Sequence, residues 1–186
     1  MLKTLLRKFS IGLSYFINKK LRLNKKKHRL TEKYVSEKIL KIYKKTPRLV
    51  THKNLSSEIL KIIKEKKLKY FLKNNYIQNI FFIHNRLFIY FELRELKNDL
   101  KWKLWKKLIK DNSIGKPIWY FLYPESTGNR IRQVYIIKKF LDLNPTIKLK
   151  EIKKVIEIGG GYGCMVDIFF KLNKKINYKI YDMYEV

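Results

Sequence analysis

The run Val155-Ile156-Glu157-Ile158-Gly159-Gly160-Gly161-Tyr162-Gly163 constrains the fold more than any other part of this 186-residue chain. Its first four residues are mostly β-branched, as in a central parallel strand buried on both faces. The glycines that follow let a chain turn sharply from strand into helix. They also let a ligand approach the backbone where a Cβ would collide. Met165, Val166, Ile168, Phe169 and Leu172 then recur at helical spacing, to about Asn173. Ile176, Tyr178 and Ile180 alternate through a second strand, Ile176–Tyr181, with Asp182 at its end. Strand, glycine turn, helix, strand and acid compose one βαβ unit. Open parallel sheets of this kind place ligands outside the carboxyl ends of their strands.

The glycine spacing fits a dinucleotide fingerprint poorly, because the third glycine of G-x-G-x-x-G would fall on Cys164. What stands here is acid-x-Gly-x-Gly-x-Gly, with Glu157, Gly159, Gly161 and Gly163 at alternate positions. That pattern resembles the first motif of the class I S-adenosylmethionine-dependent methyltransferases. Asp182, 19 residues beyond Gly163, matches the acid that holds the ribose hydroxyls in that class. The wording of Val155–Gly163, the later Tyr181–Val186 and the upstream loop and helix at Glu125–Arg132 together look like the sugar O-methyltransferases. The resemblance covers about residues 119–186.

It implies that Glu157, Gly159, Gly161 and Gly163 border the methionine part of S-adenosylmethionine and that Asp182 binds its ribose. A sugar or glycan hydroxyl is the implied methyl acceptor. The class builds about seven strands in its sheet, and two are legible here. The expectation is therefore an incomplete Rossmann-like methyltransferase sheet, inactive alone or completed by a second chain. Acceptor alignment and a general base would fall in the missing strands, so no catalytic residue is assigned. The bland alternative is a glycine-rich turn that binds nothing.

Upstream the chain is mainly helical. Thr31 caps an expected helix to about Lys45, with Pro47 beyond its end. A second helix is expected from about Leu55 to Lys73, broken by Asn74-Asn75. The apolar stretch 76–91 is helix or buried strand, which pattern alone does not separate. A helical period returns from Glu92 to Lys110 through Leu93, Leu96, Leu100, Leu104 and Leu108. Trp102 and Trp105 among their lysines are either core residues or stacking platforms beside phosphate contacts. Gly115-Lys116-Pro117 closes this part, Trp119–Tyr123 reads as a short extended segment, and Arg130–Asp142 as a helix stopped by Asn144-Pro145. Ile131, Val134, Tyr135, Phe140 and Leu141 are its burial candidates. The fold class is thus α/β: a mainly helical N-terminal region followed by the first βαβ unit of the sheet. The divisions are a basic amphipathic arm, 1–30, a helical region, 31–118, and the start of the S-adenosylmethionine-binding domain, 119–186.

Charge supplies a rival reading. Forty-four Lys+Arg face 15 Asp+Glu, a net charge of +29. Such an excess suits an anionic partner, whether nucleic acid, an anionic membrane face or an acidic glycan, although codon bias toward lysine would produce much of it. Residues 1–30 hold ten basic residues and no acid, with Leu2, Leu5, Leu6, Phe9, Leu13, Phe16 and Ile17 on one helical face. This arm either lies on an anionic membrane surface or packs on the rest of the protein. The expected location is cytoplasmic, and peripheral at the inner face of the membrane if the arm lies on that surface. The alternative function is a basic helical binding module contacting membrane or nucleic acid. The lone Cys164 excludes an intrachain disulfide, and it is either an inert packing residue or a thiol with a lowered pKa at a helix start. His28, His52 and His84 lack neighbouring ligand types at metal spacing, so no metal site is expected.

Overall fold

The computed structural model of the chain describes residues 53–65, 68–81, 87–112 and 114–181. The basic arm 1–30, the helix expected over 31–45, the three histidines and Asp182 lie outside the described residues.

The architecture is mixed helix with a two-stranded parallel sheet. Helix α1 spans Lys53–Lys64 and is followed by a 3-10 segment, Leu68–Lys73. The expected single helix to Lys73 is thus divided. Lys64, Lys66, Lys67 and Lys69 place like charges around this junction, with Glu65 the one acid among them. Beyond it, the Leu72 amide is drawn to the Gly115 carbonyl at 3.0 Å. Asn74 accepts from the amides of Tyr76 and Ile77 and so caps α2, Asn75–Phe81. In the ambiguous stretch 76–91, every described element is therefore helical.

Helices α3, Phe88–Lys97, and α4, Trp102–Ile109, replace the one helix expected over 92–110. The cause is local. Asp99 Oδ1 accepts from the Lys101 amide at 2.7 Å, a side-chain turn that competes with the helical ladder. Leu100, expected to face inward, is fully exposed at the break. The segment Trp119–Tyr123 is a turn closed by a Tyr120–Tyr123 bridge rather than an extended strand. Helix α5, Gly128–Leu143, starts at an N-cap, Thr127, whose hydroxyl accepts from the Arg130 amide. Ile131 and Val134 are buried on α5 as expected, whereas Phe140 is exposed.

Strand β1, Lys154–Ile158, helix α6, Cys164–Leu172, and strand β2, Asn177–Tyr181, form the βαβ unit. The strands pair in parallel, from Lys154 with Asn177 through Ile158 with Tyr181. Among the described residues β1 pairs with β2 alone. The expectation that β1 is buried on both faces fails. Val155 and Glu157 are half-buried, while Ile156 and Ile158, on the opposite face, are 55% and 87% exposed.

One core joins the upstream helices to this unit. Ile89, Leu93, Leu96, Trp105, Leu108, Ile131, Val134 and Ile168 are its buried centre. Trp105 is 1% exposed and so cannot stack against bases. A smaller cluster, Ile62, Leu72 and Ile77, is linked to the main core by Tyr162 of the glycine turn, which packs against both. No helix of the described residues is long and apolar enough to cross a membrane.

Candidate functional site

The three alternate glycines sit where a left-handed backbone is needed. Gly159, Gly161 and Gly163 have φ of 74°, 53° and 79°, and Gly163 is the residue before α6. Left-handed φ costs other residues about 1 kcal/mol or more, so the alternation seen in the sequence has a conformational cause. A Cβ at Gly159 or Gly163 would meet no atom within 4 Å. Conformation rather than crowding selects glycine at those two positions, and the backbone is open to approach there. Gly160 differs. A Cβ there would lie 2.6 Å from Ile180 Cγ2, so the turn is pressed against β2.

Glu157 lies beside this turn: its Oε2 is 3.5 Å from the position of a Gly160 Cβ. The Tyr178 hydroxyl donates to the same oxygen at 2.8 Å. Burial, reinforced by the Glu157 carboxylate, raises the Tyr178 pKa above the ordinary phenol range, so the tyrosine stays a donor. The Gly159 amide donates to the Tyr181 carbonyl at 2.9 Å, which ties the turn to the end of β2. The sequence-predicted residues Glu157, Gly159, Gly161 and Gly163 are thus brought together. Asp182, the fifth, lies outside the described residues.

A second layer beneath the turn was not assigned from the sequence. The first turn of α5 carries Arg130 into the interior, where it is 1% exposed. Arg130 Nε donates to the Leu108 carbonyl at 2.7 Å, and Nη1 lies 2.6 Å from Asp167 on α6 and 3.5 Å from Asp111. Asp111 also accepts from the Thr127 hydroxyl at 2.9 Å. Burial raises the Asp111 pKa, and the Arg130 charge opposes the shift. Asn129 donates to the Tyr162 hydroxyl at 2.7 Å, so the same helical turn holds the side chain that projects from the glycine turn. The signal available in the sequence was the scarcity of acids: in so basic a chain, an isolated Asp111 next to a helix end stands out.

Cys164 is buried against this layer. Desolvation pushes its thiol up to about 12, despite the nearby Arg130 charge, so the packing reading holds and the lowered pKa does not. Among the described residues no group of three or more His, Cys, Asp or Glu is placed to hold a metal. No known protein family, curated protein or solved structure matches the chain.

Proposed function

We propose that this chain carries the cofactor-binding unit of an S-adenosylmethionine-dependent O-methyltransferase whose acceptor is a sugar hydroxyl. The observation that carries the reading is the turn between parallel β1 and α6, in which the three glycines of the acid-x-Gly-x-Gly-x-Gly pattern all adopt positive φ beside the Glu157 carboxylate. Two observations support a fit to the cofactor: the backbone is open at Gly159 and Gly163, and the Glu157 carboxylate beside the turn has the charge to attract a cationic amino-acid group. Bound there, S-adenosylmethionine would supply an electrophilic methyl group. Gly159–Gly163 would line its methionine part, Glu157 would attract its ammonium, and Asp182 would accept from its ribose hydroxyls. The Arg130 layer fixes the turn from below, which limits the ordering that binding must still impose. A Rossmann-like sheet extended beyond β1 belongs to this reading, as do a glycan acceptor and the cytoplasmic location.

Calorimetry with S-adenosylmethionine tests it on the full chain. Wild type should bind, whereas Gly161→Val and Asp182→Ala should each weaken binding about tenfold or more, as expected when a hydrogen-bonded or strained contact worth roughly 1.4 kcal/mol is lost. Equal affinity in all three proteins would remove the pocket assignment.

A further inference from the structure

Helix α4 has two unlike faces. Trp105, Leu108 and Ile109 are buried, with Trp102 and Leu104 half-buried beside them. Lys103, Lys106 and Lys107 on α4, and Lys110 just past its end, recur at i, i+3, i+4 and i+7, on the side opposite the buried residues, and all four are exposed. Among the described residues none of these four ammonium groups has an ion-pair partner, because the acids are spent elsewhere. Glu92 and Glu95 on α3 pair with Arg132 and Lys139 on α5, and Asp99 beyond the end of α3 pairs with Lys138. Asp111 and Asp167 are held by Arg130. Like charges at these spacings repel and weaken a helix. Even the α4 C-terminus gains another cation, since Lys171 Nζ donates to the Lys110 carbonyl at 2.5 Å.

We propose that this lysine face is a docking surface for an acidic glycan chain, the acceptor class of the methyl-transfer reading on which the choice of glycan rests. Charge complementarity asks for a polyanion, and the composition of the face narrows its kind. The sector of α4 between Lys106 and Lys107 holds lysine alone, so it offers no apolar group to bury in a lipid interface. It also offers no aromatic platform for unpaired bases, Trp105 being buried on the other side. Lysine presents flexible point charges without the planar fork of arginine. That suits spaced carboxylates or phosphates on a flexible saccharide. Lys110 is followed directly by Asp111, which belongs to the layer under the glycine turn, so the face ends next to the candidate cofactor site in the chain.

The test is fluorescence anisotropy with dye-labelled hexagalacturonate at about 0.1 M salt, where the Debye length is about 10 Å, using the full chain. Three proteins are compared with wild type. One carries Lys103→Gln, Lys106→Gln, Lys107→Gln and Lys110→Gln. A second removes the same charge elsewhere, through Lys150→Gln, Lys153→Gln, Lys174→Gln and Lys175→Gln, all exposed positions. A third replaces the four α4 lysines by arginine. The α4 glutamine variant should lose about tenfold or more in affinity, the distant variant less than about threefold, and the arginine variant little, since exposed charges act locally within about one Debye length. Maltohexaose, the neutral control, should not bind. Similar losses in both glutamine variants, or loss in the arginine variant, would overturn the proposal. So would tighter, α4-dependent binding of a DNA duplex or of phosphatidylcholine–phosphatidylglycerol vesicles. Cofactor calorimetry on the same samples separates the two readings. Failed saccharide binding with intact cofactor binding removes only the docking surface. A chain that binds the saccharide through α4 but not the cofactor loses the methyltransferase reading.

Discussion

Helix α4 is bordered by two charged regions built on opposite terms. On its inner side the Leu108 carbonyl accepts from Arg130, a cation closed off from water with Asp111 and Asp167 as counter-ions. On its outer side four lysines stand in solvent with no described acid against them. Buried charge is tolerated only when paired, because desolvation costs several kcal/mol per ion. Exposed charge is screened by water, and the fold depends on it little. The difference shows that net charge alone says little about where this chain is fragile. Its few acids matter far more to the fold than its many lysines.

The sharpest break of that contrast is Arg130→Met. It leaves the buried Asp111 without its cation, while the part-exposed Asp167 keeps Lys171 at 3.4 Å, and removing one partner of a buried pair costs about 3–5 kcal/mol. Urea unfolding should show a large fall in midpoint, and a change no bigger than that of a surface lysine would mean the interior pairs are hydrated. Next comes Tyr162→Phe, which deprives the Asn129 amide of its acceptor and should cost about 1–3 kcal/mol. Phenylalanine keeps the ring that joins both hydrophobic clusters, so loosening of the glycine turn comes from the lost Asn129 bond alone, read as faster amide exchange at Gly161 and Gly163.

Asp99 lies between the two regimes. Burial pushes its carboxyl up, but the Lys101 amide and the Lys138 ammonium outweigh that and hold it below the ordinary carboxylate range. A carboxyl depressed in the folded state stabilises above its unfolded pKa, and that contribution is lost as pH falls through the folded value. Asp99→Asn keeps an oxygen for the Lys101 amide but loses the charge facing Lys138, so it should be less stable than wild type near neutrality by about 0.2–1 kcal/mol. The gap should close on acidification below about pH 4. A gap that widened in acid would contradict the assignment. The smallest effect is expected of Lys106→Gln. Relief of repulsion from its like-charged neighbours should leave stability unchanged or raised by about 0.2–0.5 kcal/mol, and high salt should erase the gain.

The βαβ unit was legible because its signals are local. A β-branched run, glycines at alternate positions and an apolar alternation each specify backbone geometry within a few residues, and the strand–turn–helix–strand order followed. Three site glycines and Glu157 came with it. Other features depend on contacts distant in sequence. The leucine period runs unbroken through Leu100, so only the Asp99 side-chain bond to Lys101 reveals that the helix ends there. Phe140 has the spacing of a core residue, but it lies on a part of α5 left half exposed, at 49%. Arg130 looked like surface because arginine usually is. Its burial depends on Asp111, 19 positions earlier, and Asp167, 37 positions later. The exposed face of β1 was missed for the converse reason: an apolar strand states a preference for cover on both sides and does not say whether cover is present.

That bare face has a consequence for how the protein behaves in bulk. Ile156, Ile158 and Tyr181 expose apolar surface on one face of the sheet, beside Lys154 and Lys179, on a particle of charge +29, which is the situation of a charge-stabilised colloid. At low ionic strength mutual repulsion keeps such particles apart. As the screening length shrinks from about 10 Å at 0.1 M salt to about 3 Å at 1 M, short-range attraction between apolar planes takes over. The ordinary practice of adding salt to keep a basic protein in solution should therefore work against this one, and light scattering should rise with ionic strength.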